Sequence, residues 1–363
     1  SSQILLSTLV ENQIPPQGVR LNQNDATVWD WQKGGTTASP LYLGEPEDTT
    51  VWPDFESPTP GQRNPILFNP NNGRPAWPML RPHLGMRPPF SPAGHTGTPY
   101  LGNTVTSTRP DGLCPSASPV RTYNVTAISV PVKETERETD PNGEVFVLNE
   151  DKNQVISDAQ NGVKSPDPLA IRSNVGDCVA ITLSSELDPA VQQKVNMHTH
   201  FVQFDPQASD GVITGFSYEQ SVYNDSLEAR TVRTASAANA TTLNVTNTTN
   251  LRVGVFIAIG NGRSDVEIRK ITAIGTNQLT FDQGLSSAHS VGEPVSVEFT
   301  QYRWYSDVDS GTVFWHDHVN GIQSWAHGLF GAHIIEPAGS TYTNPQTGAA
   351  VRSGTIVDIH TTN

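Results

Sequence analysis

Four of the ten histidines in this 363-residue chain fall in two tight pairs, His198-Thr199-His200 and His316-Asp317-His318. On a strand, residues i and i+2 project from one face, so each pair presents two imidazoles side by side in a chelating arrangement. Imidazoles without thiolate or carboxylate neighbours suit copper, zinc, iron or nickel better than calcium or magnesium. A single such pair is commonly an ordinary solvated strand, and two pairs in one domain make that reading poor. Apolar residues flank both, Met197 and Phe201-Val202 around the first and Val313-Phe314-Trp315 before the second. The rings are therefore expected to be partly buried and to need ligands or hydrogen-bond partners.

The elements that must position these rings are short strands. Arg121–Ile128, Glu144–Leu148, Pro168–Arg172 and Cys178–Leu183 alternate or cluster as strands, with turn residues such as Asn174 and Gly176-Asp177 between them. That spacing predicts an all-β, Greek-key sandwich over 120–233 and 299–340. Between its halves, residues 234–298 hold four more candidate strands, Thr242–Val245, Gly254–Gly260, Val266–Ile271 and Gln278–Phe281, enough for a small inserted β-barrel or roll. The insert has one histidine, His289, and no evident cluster of acidic side chains, so a structural or contact role is expected of it. Ser353–His360 reads as a further strand, and 341–363 as the start of a linker or of a next domain.

Residues 1–119 form a Pro/Gly-rich arm with little periodicity. Trp29, Trp31, Trp52, Trp77, Phe55, Phe68 and Phe90 give it large apolar surfaces, unlike a disordered tail, and it is expected to lie across another domain or subunit. The whole chain carries 28 prolines and 29 glycines, above the usual frequency, as many turns between short strands require. A net charge of −14 repels phosphate backbones and anionic membranes, which excludes nucleic acid as a natural partner. No apolar run is long enough to span a membrane. The chain begins Ser1-Ser2 without an initiator Met, as a mature or cleaved form of something longer would. Cys114 and Cys178 leave two readings, one disulfide or two buried thiols. A disulfide would staple a loop to the sheet and imply an oxidising compartment, extracellular, at the cell surface or periplasmic.

The two histidine segments also carry a family resemblance. Asn196-Met197-His198-Thr199-His200, with Ser209-Asp210-Gly211 and Tyr218-Glu219-Gln220 downstream, resembles the first copper motif of multicopper oxidases. Thr312–His318, followed by Gly328-Leu329-Phe330-Gly331-Ala332 and Ile334-Ile335-Glu336-Pro337, resembles the second copper motif and the closing strand of a cupredoxin-like domain. The resemblance covers roughly 120–337 without the insert, and the arm around Arg87-Pro88-Pro89-Phe90 is similar in style to large bacterial members, including the manganese-oxidising type. It implies that His198 ligates a type-2 copper, His200 a type-3 copper, and His316 and His318 the type-3 pair, half of a trinuclear cluster that reduces dioxygen to water. It also implies a proton-relaying carboxylate at Asp210, whose plain alternative is a turn residue before Gly211. Asp317 should point away from the metals, toward solvent or a backbone amide. Trp315, Trp325 and Phe330 read as packing more than as an electron path, and His327 as a supporting residue more than a ligand.

Two parts of such an oxidase are missing from the chain. A type-1 copper needs a cysteine flanked by histidine, and neither Leu113-Cys114-Pro115 nor Asp177-Cys178-Val179 has that context. The other two His pairs of a trinuclear site are also lacking. Another domain or polypeptide supplies them, or the chain is a split part of a larger oxidase, or the site is vestigial. The alternative from a different class is a secreted structural or assembly protein on the same scaffold. A copper nitrite reductase is a weaker option, since it too needs the type-1 cysteine.

Overall fold

The computed structural model describes residues 117–361 except 189–193, 203–221, 225–229, 250, 252 and 254–255. The arm up to residue 116, Cys114, Asp210 and Gln220 therefore lie outside the described residues. The described chain runs β1 (Val120–Ser129), β2 (Val132–Lys133), β3 (Thr139–Asp140), β4 (Glu144–Leu148), α1 (Lys152–Gln160), β5 (Leu169–Asn174), β6 (Cys178–Glu186), β7 (Lys194–Val195), β8 (His198–Thr199) and β9 (Val222–Tyr223). It continues through β10 (Thr242–Asn244), β11 (Phe256–Ile259), β12 (Glu267–Gly275), β13 (Gln278–Phe281) and β14 (Val295–Ser296). Last come β15 (Thr300–Tyr305), β16 (Gly311–His316), α2 (Gly321–His327), β17 (Phe330–Glu336), β18 (Thr341–Thr343) and β19 (Asp358–His360).

Two four-stranded sheets, β15-β6-β1-β4 and β5-β17-β16-β8, share one core, giving the all-β sandwich expected from the strand pattern. In each sheet a parallel pair joins segments far apart in sequence, β1 with β6 and β17 with β5. Alternation decides what points inward. In β15 the buried and half-buried positions alternate strictly, so Tyr302 and Trp304 enter the core while Gln301 and Arg303 face out. From β16, Val313 and Trp315 enter the same core and Phe314 faces out. Trp315 meets Phe146 edge-on at 4.9 Å between ring centres and lies 6.5 Å from Trp304. Each fully buried ring of this kind stabilises the fold by roughly 2–3 kcal/mol. Gly331 lies opposite Trp315 in the ladder, and a Cβ there would collide with the indole ring and with the Leu169 carbonyl.

The outer face of the first sheet is covered. Helix α1 places Val155, Ile156 and Ala159 on Ile128, Val145 and Val147. The sequence reading missed this helix, which has nine residues and a weak apolar stripe. The insert forms its own five-stranded sheet, β10-β13-β12-β11-β14, around an apolar core that includes Ile257, Ile259, Ile271 and Leu279. Its 262–264 turn docks beside α1: Lys152 Nζ donates to the Gly262 carbonyl (2.6 Å), Asn149 Nδ2 to that of Arg263 (2.9 Å) and Asn124 Nδ2 to that of Ser264 (3.2 Å).

Inside the insert, the expectation of no acidic cluster fails. Glu267 and Glu293, 26 positions apart, both reach the buried His289, with Nε2 2.6 Å from Glu267 Oε1 and Nδ1 2.7 Å from Glu293 Oε2. Glu267 also accepts the amides of Ser286 and Ser287, and these bonds together hold its carboxyl below the usual range against its burial. The cluster pins the loop from Ser286 to Glu293 and so has a structural task. Residues 341–361, read from sequence as a linker or next domain, close back on the sandwich: β18 and β19 pair, Tyr342 Oη donates to the Ser173 carbonyl (3.0 Å), and the Gly354 amide donates to that of Ala170 (2.8 Å).

Candidate metal centre

The edge strand β8 pairs antiparallel with β16, setting His198 opposite His316 in the ladder. His200 follows β8 by one residue and His318 lies two beyond β16, so both pairs meet at one corner of the second sheet. The His198 and His318 rings lie 4.2 Å apart between centres, His198 and His316 5.3 Å, and His200 and His316 5.2 Å. His200 Nε2 and His316 Nε2 converge to 3.0 Å. His198, His200 and His316 each offer a ligating atom within 4.8 Å of the others.

The protein fixes how these rings present themselves. His316 Nδ1 donates to the Asp317 carbonyl at 2.8 Å, which sets the tautomer and leaves the Nε2 lone pair facing His200. Burial and the neighbouring His318 hold the His200 ring below its ordinary pKa, so it stays neutral and ready to ligate. Without an ion the His200 and His316 rings make an N–H···N hydrogen bond at 3.0 Å, and with His198 they bring three imidazole ligating atoms within 4.8 Å of one another, close enough for one ion to replace that bond. The donor set therefore fits a borderline metal ion bound by imidazoles.

Asp317 ties the two segments together. Its carboxylate accepts the amides of Asn196 (3.0 Å), Asn320 (3.1 Å) and Val319 (3.3 Å) and the Ser324 hydroxyl (2.8 Å). Its carbonyl takes Trp325 Nε1 at 2.6 Å. In return, Asn196 Oδ1 accepts the His318 amide at 2.8 Å, so the two strand ends are cross-linked in both directions. Burial pushes the Asp317 carboxyl up, opposed by those donors. Of the two expected surroundings, backbone amides surround it and solvent does not. Asn196 belongs to the quoted motif, yet nothing in its spacing announces the cross-link.

The remaining histidines divide by environment. His333 is fully buried beside Trp304, with Nε2 2.6 Å from Ser173 Oγ, and burial holds its ring down at about 3, so it is a neutral core residue. His327 contacts Asp140 through Nδ1 at 2.6 Å. Around the four-histidine group lies an apolar rim. Phe314 stacks on His200 at 4.1 Å yet is half exposed, and Trp325 packs against His316 at 4.3 Å while 43% exposed. Phe201, Ile322 and Phe330 are exposed as well.

No family model matches the chain, and no curated protein matches it in sequence. Among solved structures it is similar to a multicopper oxidase from Pseudomonas thermotolerans, at 13% identity and a TM-score of 0.31, over 61% of this chain and 30% of that one. It is similar to a copper nitrite reductase from Nitrosomonas europaea at 15% identity and 0.28, over 61% and 42%. A laccase from Pediococcus acidilactici gives 13% and 0.28, over 60% and 27%. The chain spans less than half the length of each of these proteins. The metal chemistry of the centre rests on its own side chains.

Proposed function

We propose that this chain is the cupredoxin-like part of a multicopper oxidase and contributes His198, His200, His316 and His318 to a trinuclear copper cluster completed by another domain or chain. The observation that carries this reading is the convergence of four imidazoles at one corner of the sheet, with His200 Nε2 and His316 Nε2 at 3.0 Å, beside the exposed Phe314 and Trp325. Bound copper supplies the electron transfer that reduces dioxygen. The chain's own groups fix the ring tautomer at His316, cross-link the two ligand segments through Asp317 and Asn196, and offer an apolar rim that excludes water once covered. Asp210 keeps the proton-relay role that its motif implies. The electron donor docks at a type-1 copper on the partner. The same reading carries a Cys114–Cys178 disulfide and an extracellular, cell-surface or periplasmic location; among the described residues no helix is long and apolar enough to cross a membrane.

The test is to purify the native material, weigh its subunits and quantify copper per complex. A co-purifying domain or chain with a histidine-flanked cysteine, and copper lost on His316→Ala, is the expected result. A copper-free chain on its own turns the paired histidines into part of a structural scaffold.

A further inference from the structure

Glu144, the first residue of β4, is only 1% exposed, and its Oε1 has no hydrogen-bond partner among the described residues. An unpartnered buried carboxyl is costly, and its burial calls for an explanation in strain, a bound water or ion, or function. Three charged or titratable groups act on it electrostatically: His327 at the end of α2, Asp317 in the turn between β16 and α2, and Asp140 in β3. Helix α2 joins this place to the metal corner. Its Ser324 and Trp325 hold Asp317, and its capping Gly328 presses on the Glu144 carbonyl, leaving a Cβ only 2.8 Å. At the other end, His327 Nδ1 donates to Asp140 Oδ2 at 2.6 Å, and the His327 side chain is 26% exposed, so this pair lies on the side open to water.

We infer that Glu144 is a proton store coupled to the histidine centre, filled and emptied on the side of the His327–Asp140 pair. The inference rests on the copper reading above and adds to it a residue that no copper motif contains. When positive charge arrives at the centre, the Glu144 carboxyl gives up its proton, which leaves on the His327–Asp140 side to water. When that charge leaves, the carboxylate takes a proton back by the same route. Burial pushes Glu144 up to about 7, with His327 lowering it and Asp317 and Asp140 raising it, so near neutral pH the store is about half full.

The experiment is calorimetric titration of the full chain with copper at pH 7, in buffers of different ionisation heat, on wild type and Glu144→Gln. Wild type should release up to about half a proton more per centre than the variant. Carboxyl-carbon NMR of the wild-type chain, which needs no substitution, should show Glu144 titrating near neutrality and moving to lower pH on copper loading, and the pH profile of oxygen reduction in the assembled enzyme should shift in Glu144→Gln and recover in Glu144→Asp. Copper uptake with equal proton release in both proteins, or Glu144 titrating in the ordinary carboxylate range, overturns the coupling alone. No copper uptake by the wild-type chain removes the copper reading, and the coupling with it.

Discussion

The two sheets of the sandwich share one core and differ in what covers their outer faces. On the first, α1 and the 262–264 turn of the insert sit over the strands, and polar groups beneath them are satisfied. Thr126 Oγ1, for example, donates to Asn149 Oδ1 at 2.6 Å and is hydrogen-bonded to Ser184 Oγ at 2.8 Å. On the second, three half-buried imidazoles and the buried His316 ring meet at the β8–β16 corner beside the exposed Phe314 and Trp325. A covered polar face serves stability, whereas a corner that combines converging imidazoles with exposed apolar side chains is where the proposed ion and partner would bind.

Substitutions should separate the two faces cleanly. His200→Ala or His316→Ala should cost copper affinity more than the 10–100-fold typical of losing a supporting hydrogen bond. The far-UV circular dichroism should stay unchanged, because these rings lie outside the sandwich core; metal analysis and a melting curve on one sample check both halves. Gly331→Ala attacks the boundary between core and site. With no room beside Trp315, it should destabilise the sandwich by about 3 kcal/mol in denaturant titration and disturb copper binding through His316, the next residue of β16.

The pH dependence of folding probes Glu144. Its carboxyl is raised in the folded chain from 4.5 to about 7. Between those values the unfolded chain has already released the proton that the folded chain keeps, so stability falls as pH rises through this window. The loss should reach up to about 3 kcal/mol at 1.36 kcal/mol per pKa unit, and Glu144→Gln should flatten the slope. The smallest effect belongs to the covered face. Lys152→Ala removes the bond to Gly262 and the ion pair with Glu186, and should lower stability by about 1 kcal/mol with copper content untouched.

What the sequence showed and what it hid follow from the range of the interactions. The strands β1, β4, β5 and β6 and most of the insert's strands were legible because period-2 alternation and turn residues are local signals. The histidine pairs were legible because i, i+2 spacing on a strand is itself the chelating geometry. Helices α1 and α2 escaped because seven to nine residues with little apolar stripe resemble loop. The His289 cluster, the Asn196–Asp317 cross-link and the neighbourhood of Glu144 escaped for a different reason. Each includes a contact between residues 22 to 187 positions apart, brought together only by the fold.

Copper-edge X-ray absorption of the native, copper-loaded protein, compared with the same protein carrying His200→Ala and His316→Ala, tests the central claim most directly. The account predicts imidazole scattering in the wild type and a marked loss of bound copper in the double variant, with the fold retained. Equal copper and an unchanged coordination shell in the two proteins would contradict it.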